Sequence, residues 1–214
     1  MSSKQVYLIG AGGHAKQVAD VFLDSGYEIL GAYDDTKAGI FYRGIPIIGT
    51  LTDLDSYSGS MKDEIPLFCT IGDNPTRQRI VNRYPELKWA NCISPQAYIS
   101  PTVTLGKGNY IGVHARLLSE TKVGDFNIIN DGATLTHDNT LGDFNHIAPN
   151  ASLGGRVRIG NLNLIGTNAT LNPDTMIRDQ ITIGSGSVVI RPCLQAGTYI
   201  GVPSRLSAPL LQKS

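Results

Sequence analysis

Charge of either sign, aromatic rings and cysteine are all scarce in this chain of 214 residues. Lys plus Arg equals Asp plus Glu at 18 each, so the basic excess needed to neutralise a phosphate backbone is missing and nucleic acid is excluded as a partner. Charged residues amount to 17%, below the roughly 25% of ordinary domains. The three cysteines, Cys69, Cys92 and Cys193, lie far apart and form no CxxC. A disulfide framework and a thiolate zinc site are thereby ruled out, and a reducing cytoplasm fits. No apolar run approaches the ~18 residues of a membrane span, and VYLIGAGG near the start is too short and glycine-rich for a signal peptide. A soluble cytoplasmic protein without membrane contact is expected.

What is present begins with glycine, which numbers 24. Gln5 to Ile9 reads as a buried parallel strand running into GAGGHA, and Lys16 to Leu23 carries apolar residues at helical spacing. A second strand, EILGAYDD, ends at Asp34 and Asp35. A third, IPLFCTIG, ends at Gly72 and precedes a helix from about Pro75 to Tyr84. The pattern predicts a small Rossmann-like α/β sheet whose loops gather at the strand C-termini. Gly10, Gly12 and Ala15 satisfy G-x-G-x-x-A, in which the backbone approaches a phosphate at a helix N-terminus. Asp34, 19 residues past Ala15, stands where a ribose-binding acid belongs. A dinucleotide such as NAD, a single nucleotide, and a tight turn without ligand are all compatible with this motif. About 85 residues precede the change of periodicity, short for two mononucleotide halves, so one nucleotide fits better than two. His14 argues against the empty turn, which has no use for an imidazole.

From Ile93 to Val189 every sixth residue is aliphatic, seventeen in succession. Neither a helical period of 3.6 nor a strand period of 2 explains this. It is the hexapeptide repeat of a parallel β-helix, three short strands to a triangular coil of 18 residues, with the aliphatics filling the prism. Five to six coils are expected from seventeen hexads, ending where Gln195 breaks the pattern. Flat prism faces commonly pack about a threefold axis, which points to a homotrimer.

His137 interrupts this plain surface. It lies two places after Leu135, hence outside, with Ser119 one coil below and Gly155 one coil above. Gly154 and Gly155 remove side chains beside it, leaving room for a ligand; a functional imidazole and a solvated surface one both remain open. The other prism histidines, His114 and His146, are 23 and 9 residues from it, unlike the close pair of zinc enzymes on this prism, so no metal site is expected.

GAGGHAK, YDDTK, IGDNPTR, THDNTLGDFNHI, LGGRVRIG and GVPSR together resemble the nucleotide-sugar N-acetyltransferases with an N-terminal sugar-nucleotide domain and a left-handed β-helix. The family includes UDP-4-amino-sugar and perosamine N-acetyltransferases, with sialic acid O-acetyltransferases as cousins. The resemblance spans almost the whole chain. It implies a nucleotide-sugar-binding α/β domain at 1–88 and a left-handed β-helix acetyltransferase domain with a C-terminal cap at 89–214. The reaction implied is transfer of acetyl from acetyl-CoA to an amine, at C4, of a nucleotide-linked 4-amino-4,6-dideoxy sugar in glycan biosynthesis. Sialic-acid-type O-acetylation and a non-catalytic nucleotide-sugar scaffold are the alternatives.

By position, the resemblance makes His137 the general base, assisted by Asp138 where glutamate is usual. Successive strand residues face opposite ways, so that assistance requires a prism corner, and Glu120 one coil below is the substitute. Gly12, Gly13, His14, Asp34, Asp35, Lys37, Gly72, Asp73 and Asn74 match the nucleotide-sugar site. His146, Gly155, Thr167 and Ser185 match positions that contact acetyl-CoA. Arg77 is read as a phosphate contact or a solvated residue on its helix.

Overall fold

The computed structural model describes residues 4–60 and 65–207. Its first part is a four-stranded parallel sheet in the order β3-β2-β1-β4, built from β1 (Lys4–Ile9), β2 (Tyr27–Tyr33), β3 (Ile47–Gly49) and β4 (Leu67–Cys69). Helix α1 (Gly13–Asp24) buries Val18, Val21 and Phe22, the apolar stripe legible in the sequence. Helix α2 (Leu51–Ser60) follows β3, and α3 (Asn74–Arg83) follows β4. The expected second strand runs on to Asp35 but β2 stops at Tyr33, because Asp34 turns its carboxylate back to accept from Ala11 N at 2.7 Å. Asp73 caps α3, its side chain accepting from Thr76 N at 2.9 Å.

Seventeen two- or three-residue strands follow, from β5 (Cys92–Ile93) to β21 (Val188–Val189), each ending on a hexad aliphatic. They wind a left-handed parallel β-helix in which residue n pairs with n + 18, as Thr134 does with Ser152 and Leu135 with Leu153. From Ile111 to Val189 all the hexad aliphatics are at most 5% exposed. The three faces are distinguished by their strand starts: a first face at Cys92, Tyr110, Ile128, His146 and Leu164; a second at Tyr98, Arg116, Thr134, Ser152 and Thr170; a third at Thr104, Lys122, Thr140, Arg158 and Met176.

Corners need a left-handed residue, and one recurs at every sixth position, among them His114, Glu120, Phe126, Asp138, Phe144, Asn150 and Arg156. Inside the corner between the third and first faces stands a column of asparagines, Asn109, Asn127, Asn145 and Asn163, all 0% exposed. Each takes the backbone N–H of the residue one coil on: Asn109 Oδ1 from Asn127 N, Asn127 Oδ1 from Asn145 N, Asn145 Oδ1 from Asn163 N. The hexad pattern breaks at Gln195, and the prism core closes just before it on Cys193, which is 2% exposed and bridges Ile177. β22 (Gly197–Gly201) and the antiparallel β23 (Ser204–Leu206) then cap the first face.

The α/β lobe docks on that first face. Cys92, Tyr110 and Ile128 share one buried cluster with Val18 and Phe22, and Phe126 and Phe144, stacked at the adjoining corner, share another with Val81 and Trp89. Among the described residues no helix is long and apolar enough to cross a membrane.

Candidate active site

Asp138 occupies a left-handed corner at φ 61°, a conformation aspartate tolerates better than most residues. The bend there folds its carboxylate back onto the preceding side chain, and His137 Nδ1 lies 2.7 Å from Asp138 Oδ2. Successive residues that point apart on a strand thus meet at a corner. With Nδ1–H donating to the carboxylate, Nε2 is left as a free acceptor. The pair is half exposed, at 53% and 50%. Its backbone is fixed between coils, Asp138 N donating to Ser119 O at 2.9 Å and Arg156 N to His137 O at 3.0 Å. Asp138, and not Glu120, holds the imidazole. One coil above, Arg156 engages Asp174 through Nε and Nη2 at 2.7 and 2.9 Å, which keeps that cation occupied beside the pair.

The double glycine is required by what stands beside it. A Cβ at Gly155 would lie 2.5 Å from His137 Cε1 and Nε2, and one at Gly154 would lie 2.6 Å from Pro173 N. Gly155 thus makes room for the imidazole itself and Gly154 for the next coil.

On the lobe, a cleft of about 470 Å³ opens at the strand C-termini, lined in part by Gly10, Asp34, Asp35, Thr36, Arg79 and Arg83. Burial works against the Asp34 charge, yet the Thr36 and Ala11 hydrogen bonds and nearby Lys37 hold its carboxyl below the usual range. Asp35 Oδ1 accepts from Leu51 N at 2.8 Å, and Lys37 Nζ stands 5.9 Å from the Phe41 ring centroid. Gly10, at φ +98°, is the glycine the turn requires, since a Cβ there would meet Ile71 Cδ1 at 2.6 Å. Gly12 and Gly13 face open space at the uncapped start of α1.

A second cleft, of about 600 Å³, lies between lobe and prism, lined by Gly72, Asp73, Asn74, Gln78, His146 and Thr182 among others. His146 is pushed down to about 4, by burial first and then by His14 and Arg77, against a hydrogen bond to the Gly72 backbone. Its Nε2 lies 3.3 Å from Asn130 Nδ2. His14 is likewise held below the ordinary histidine value, chiefly by burial, and packs edge-on against Tyr110 at 5.0 Å. Arg77 is neither a phosphate contact nor solvated: it is 1% exposed and its donors are spent on protein carbonyls and Asn74. Sequence reasoning missed this because a guanidinium on an isolated helix reads as solvent-facing. The spacing of Asn74 and Arg77, three apart at a helix start, was the available signal.

The residues singled out by sequence do not form one site within a chain. Gly72, Asp73, Asn74 and His146 come together in the seam, and Asp34 and Asp35 lie in the lobe cleft. Thr167 and Ser185 stack on successive coils at the corner between first and second faces, where Gly186 N donates to Thr167 O at 2.8 Å. His137, Asp138 and Gly155 sit at the opposite corner, between second and third faces, away from their own lobe. Among the described residues no cluster of His, Cys, Asp and Glu could hold a metal ion.

A hexad prism with a corner imidazole–carboxylate pair and a docked α/β lobe defines a hexapeptide-repeat acyltransferase architecture. Residues 5–84 match the model of the PglD N-terminal domain. The whole chain is similar to a solved GDP-perosamine N-acetyltransferase variant from Caulobacter crescentus in complex with CoA and GDP-perosamine. The two are 30% identical with a TM-score of 0.89, over 97% of this chain and 98% of that one. The acetyltransferase domain of PglB from Neisseria gonorrhoeae, in complex with acetyl coenzyme A, is 31% identical with a TM-score of 0.89, over 96% and 100%. An uncharacterised protein of Acanthamoeba polyphaga mimivirus is 57% identical over 124 residues, 58% of this chain; the chain spans 24% of that relative's length. This chain belongs to the hexapeptide-repeat nucleotide-sugar N-acetyltransferases.

Proposed function

We propose that the protein transfers acetyl from acetyl-CoA to the amine of a nucleotide-linked 4-amino-4,6-dideoxy sugar, in the cytoplasm. The observation that carries this reading is the 2.7 Å contact between His137 Nδ1 and Asp138 Oδ2. Asp138 holds the imidazole in the tautomer whose Nε2 accepts a proton. His137 takes that proton from the attacking amine as its nitrogen bonds to the acetyl carbonyl carbon. The C–S bond breaks as the carbonyl re-forms, and His137 returns the proton to the departing sulfur. Residues 1–88 hold the sugar nucleotide and 89–214 carry the transfer.

The separation of the His137 corner from the lobe clefts supports a site completed by a second copy in a homotrimer, one chain's His137 facing its neighbour's lobe. Mixing two variants tests this: His137→Ala and a lobe variant such as Asn74→Trp, each inactive alone, regain activity when refolded together. Failure of mixed oligomers to recover any turnover rejects the shared site.

The activity is tested by thiol release from acetyl-CoA against 4-amino-4,6-dideoxy sugars on GDP, UDP and dTDP, with the 4-hydroxy counterparts alongside. Release with the amines alone is expected. Release with hydroxy sugars alone would replace N- by O-acetylation, and nucleotide-sugar binding without release would leave a scaffold.

A further inference from the structure

Arg77 is a cation buried to 1% exposure with no ion-pair partner among the described residues. Burying an uncompensated charge costs several kcal/mol in general, and an apolar side chain of similar volume would fill such a place more cheaply. Burial lowers the guanidinium to about 10, so it remains protonated near neutrality. A contribution to stability alone does not account for it; what it touches does.

Its Nε donates to Phe126 O at 2.9 Å and its Nη2 to Asn145 O at 3.3 Å, one coil further on. On the lobe side Nη1 donates to Ile71 O and Gly72 O at 2.9 and 3.1 Å, and Nη2 to Asn74 Oδ1 at 2.6 Å. Asn74 in turn donates through Nδ2 to Asn163 O at 2.9 Å, on the next coil. The anchoring carbonyls therefore climb three coils beside the rigid asparagine column. Gly72, whose carbonyl Arg77 pins, faces the same cleft as His146, so moving that turn changes the setting of the ring. Gly72, Asn74 and His146 all line the seam cleft.

We infer that Arg77 is a positioning residue for transfer: by clamping the Gly72–Asn74 turn onto the prism it sets the acceptor cleft and the His146 ring in fixed relation. Only a forked, five-donor cation reaches carbonyls on both sides of the seam at once, and lysine does not. This rests on the acetyltransferase reading above.

The test is a double-mutant cycle with Arg77→Lys and His146→Gln, on proteins whose folding and oligomeric state are checked by circular dichroism and sedimentation. Arg77→Lys is expected to lower kcat/KM for the nucleotide sugar by about tenfold or more, since small misplacements are costly. In the His146→Gln background the same change is expected to cost less than about threefold. Equal losses in both backgrounds, or no loss, would overturn the inference, because a merely structural role lowers both alike. Should Arg77→Lys fail to fold, Asn74→Ser in the same cycle removes one anchor and carries the same criterion. Wild-type protein that releases no thiol with any amino sugar rejects the acetyltransferase reading, and this inference with it; an active wild type with additive variants rejects the inference alone.

Discussion

The His137 ring occupies the space a side chain at Gly155 would need, with Cε1 and Nε2 both 2.5 Å from the Cβ that alanine would place there. The ring is the free end of a half-exposed side chain, so Gly155→Ala moves the imidazole instead of breaking the coil. Turnover is expected to fall by at least about tenfold, with Tm within about 3 °C of wild type. Unimpaired turnover would show that the ring's seat is set elsewhere.

His137→Asn removes the proposed proton acceptor while keeping an amide of similar reach. Turnover should drop by about 10²–10⁴, with acetyl-CoA affinity by calorimetry nearly unchanged. Asp138→Asn keeps a residue that tolerates the left-handed corner, so folding is retained and a smaller loss of kcat is expected. A larger loss for Asp138→Asn than for His137→Asn contradicts the assigned roles.

The asparagine column is a stability device. Asn145 donates through Nδ2 to Gly160 O at 2.8 Å and to Asn127 Oδ1 at 3.0 Å, and accepts from Asn163 N at 2.9 Å. Asn145→Leu strands these buried partners, at a cost of about 2–5 kcal/mol. Chemical denaturation is the measure, and a loss below about 0.5 kcal/mol would show that the partners find substitutes.

His146 gives stability a definite pH dependence. Unfolded imidazole titrates near 6.5, while in the folded chain His146 is pushed down to about 4, by burial before all else. Between those values the unfolded chain binds a proton that the folded chain refuses, so stability is complete above the window and declines as pH falls through it. His14 shifts in the same direction. From pH 7 to pH 5 His146 should remove on the order of 2 kcal/mol, and His146→Gln should flatten that slope in urea titrations. An equally steep slope in the variant contradicts the assignment.

The prism was legible because a buried position in a β-solenoid is dictated by one local rule, and Ile111 through Val189 obey it without exception. The lobe was legible where its strands are buried, β4 throughout and β1 at Val6, Leu8 and Ile9. It was not legible at β3, a short half-exposed edge strand, or at α2, whose apolar stripe is weak. Corners were the larger gap: of the left-handed positions only glycine, asparagine and aspartate carry a local preference, and Phe126, Phe144 and Leu162 adopt the same bend because neighbouring coils impose it. The His137–Asp138 contact therefore needed the corner, and the burial of Arg77 needed the seam, two relations between distant segments that no window of sequence contains.

The recurrence of bends at every sixth residue between His114 and Gln180 makes chain length a kind of angular and vertical ruler. An insertion of 18 residues below His137 lifts the imidazole one storey with its compass bearing unchanged, whereas one of 6 swings it to another edge of the triangle. In a chain of this design, drift in length is tolerated near the His137 edge only in whole storeys.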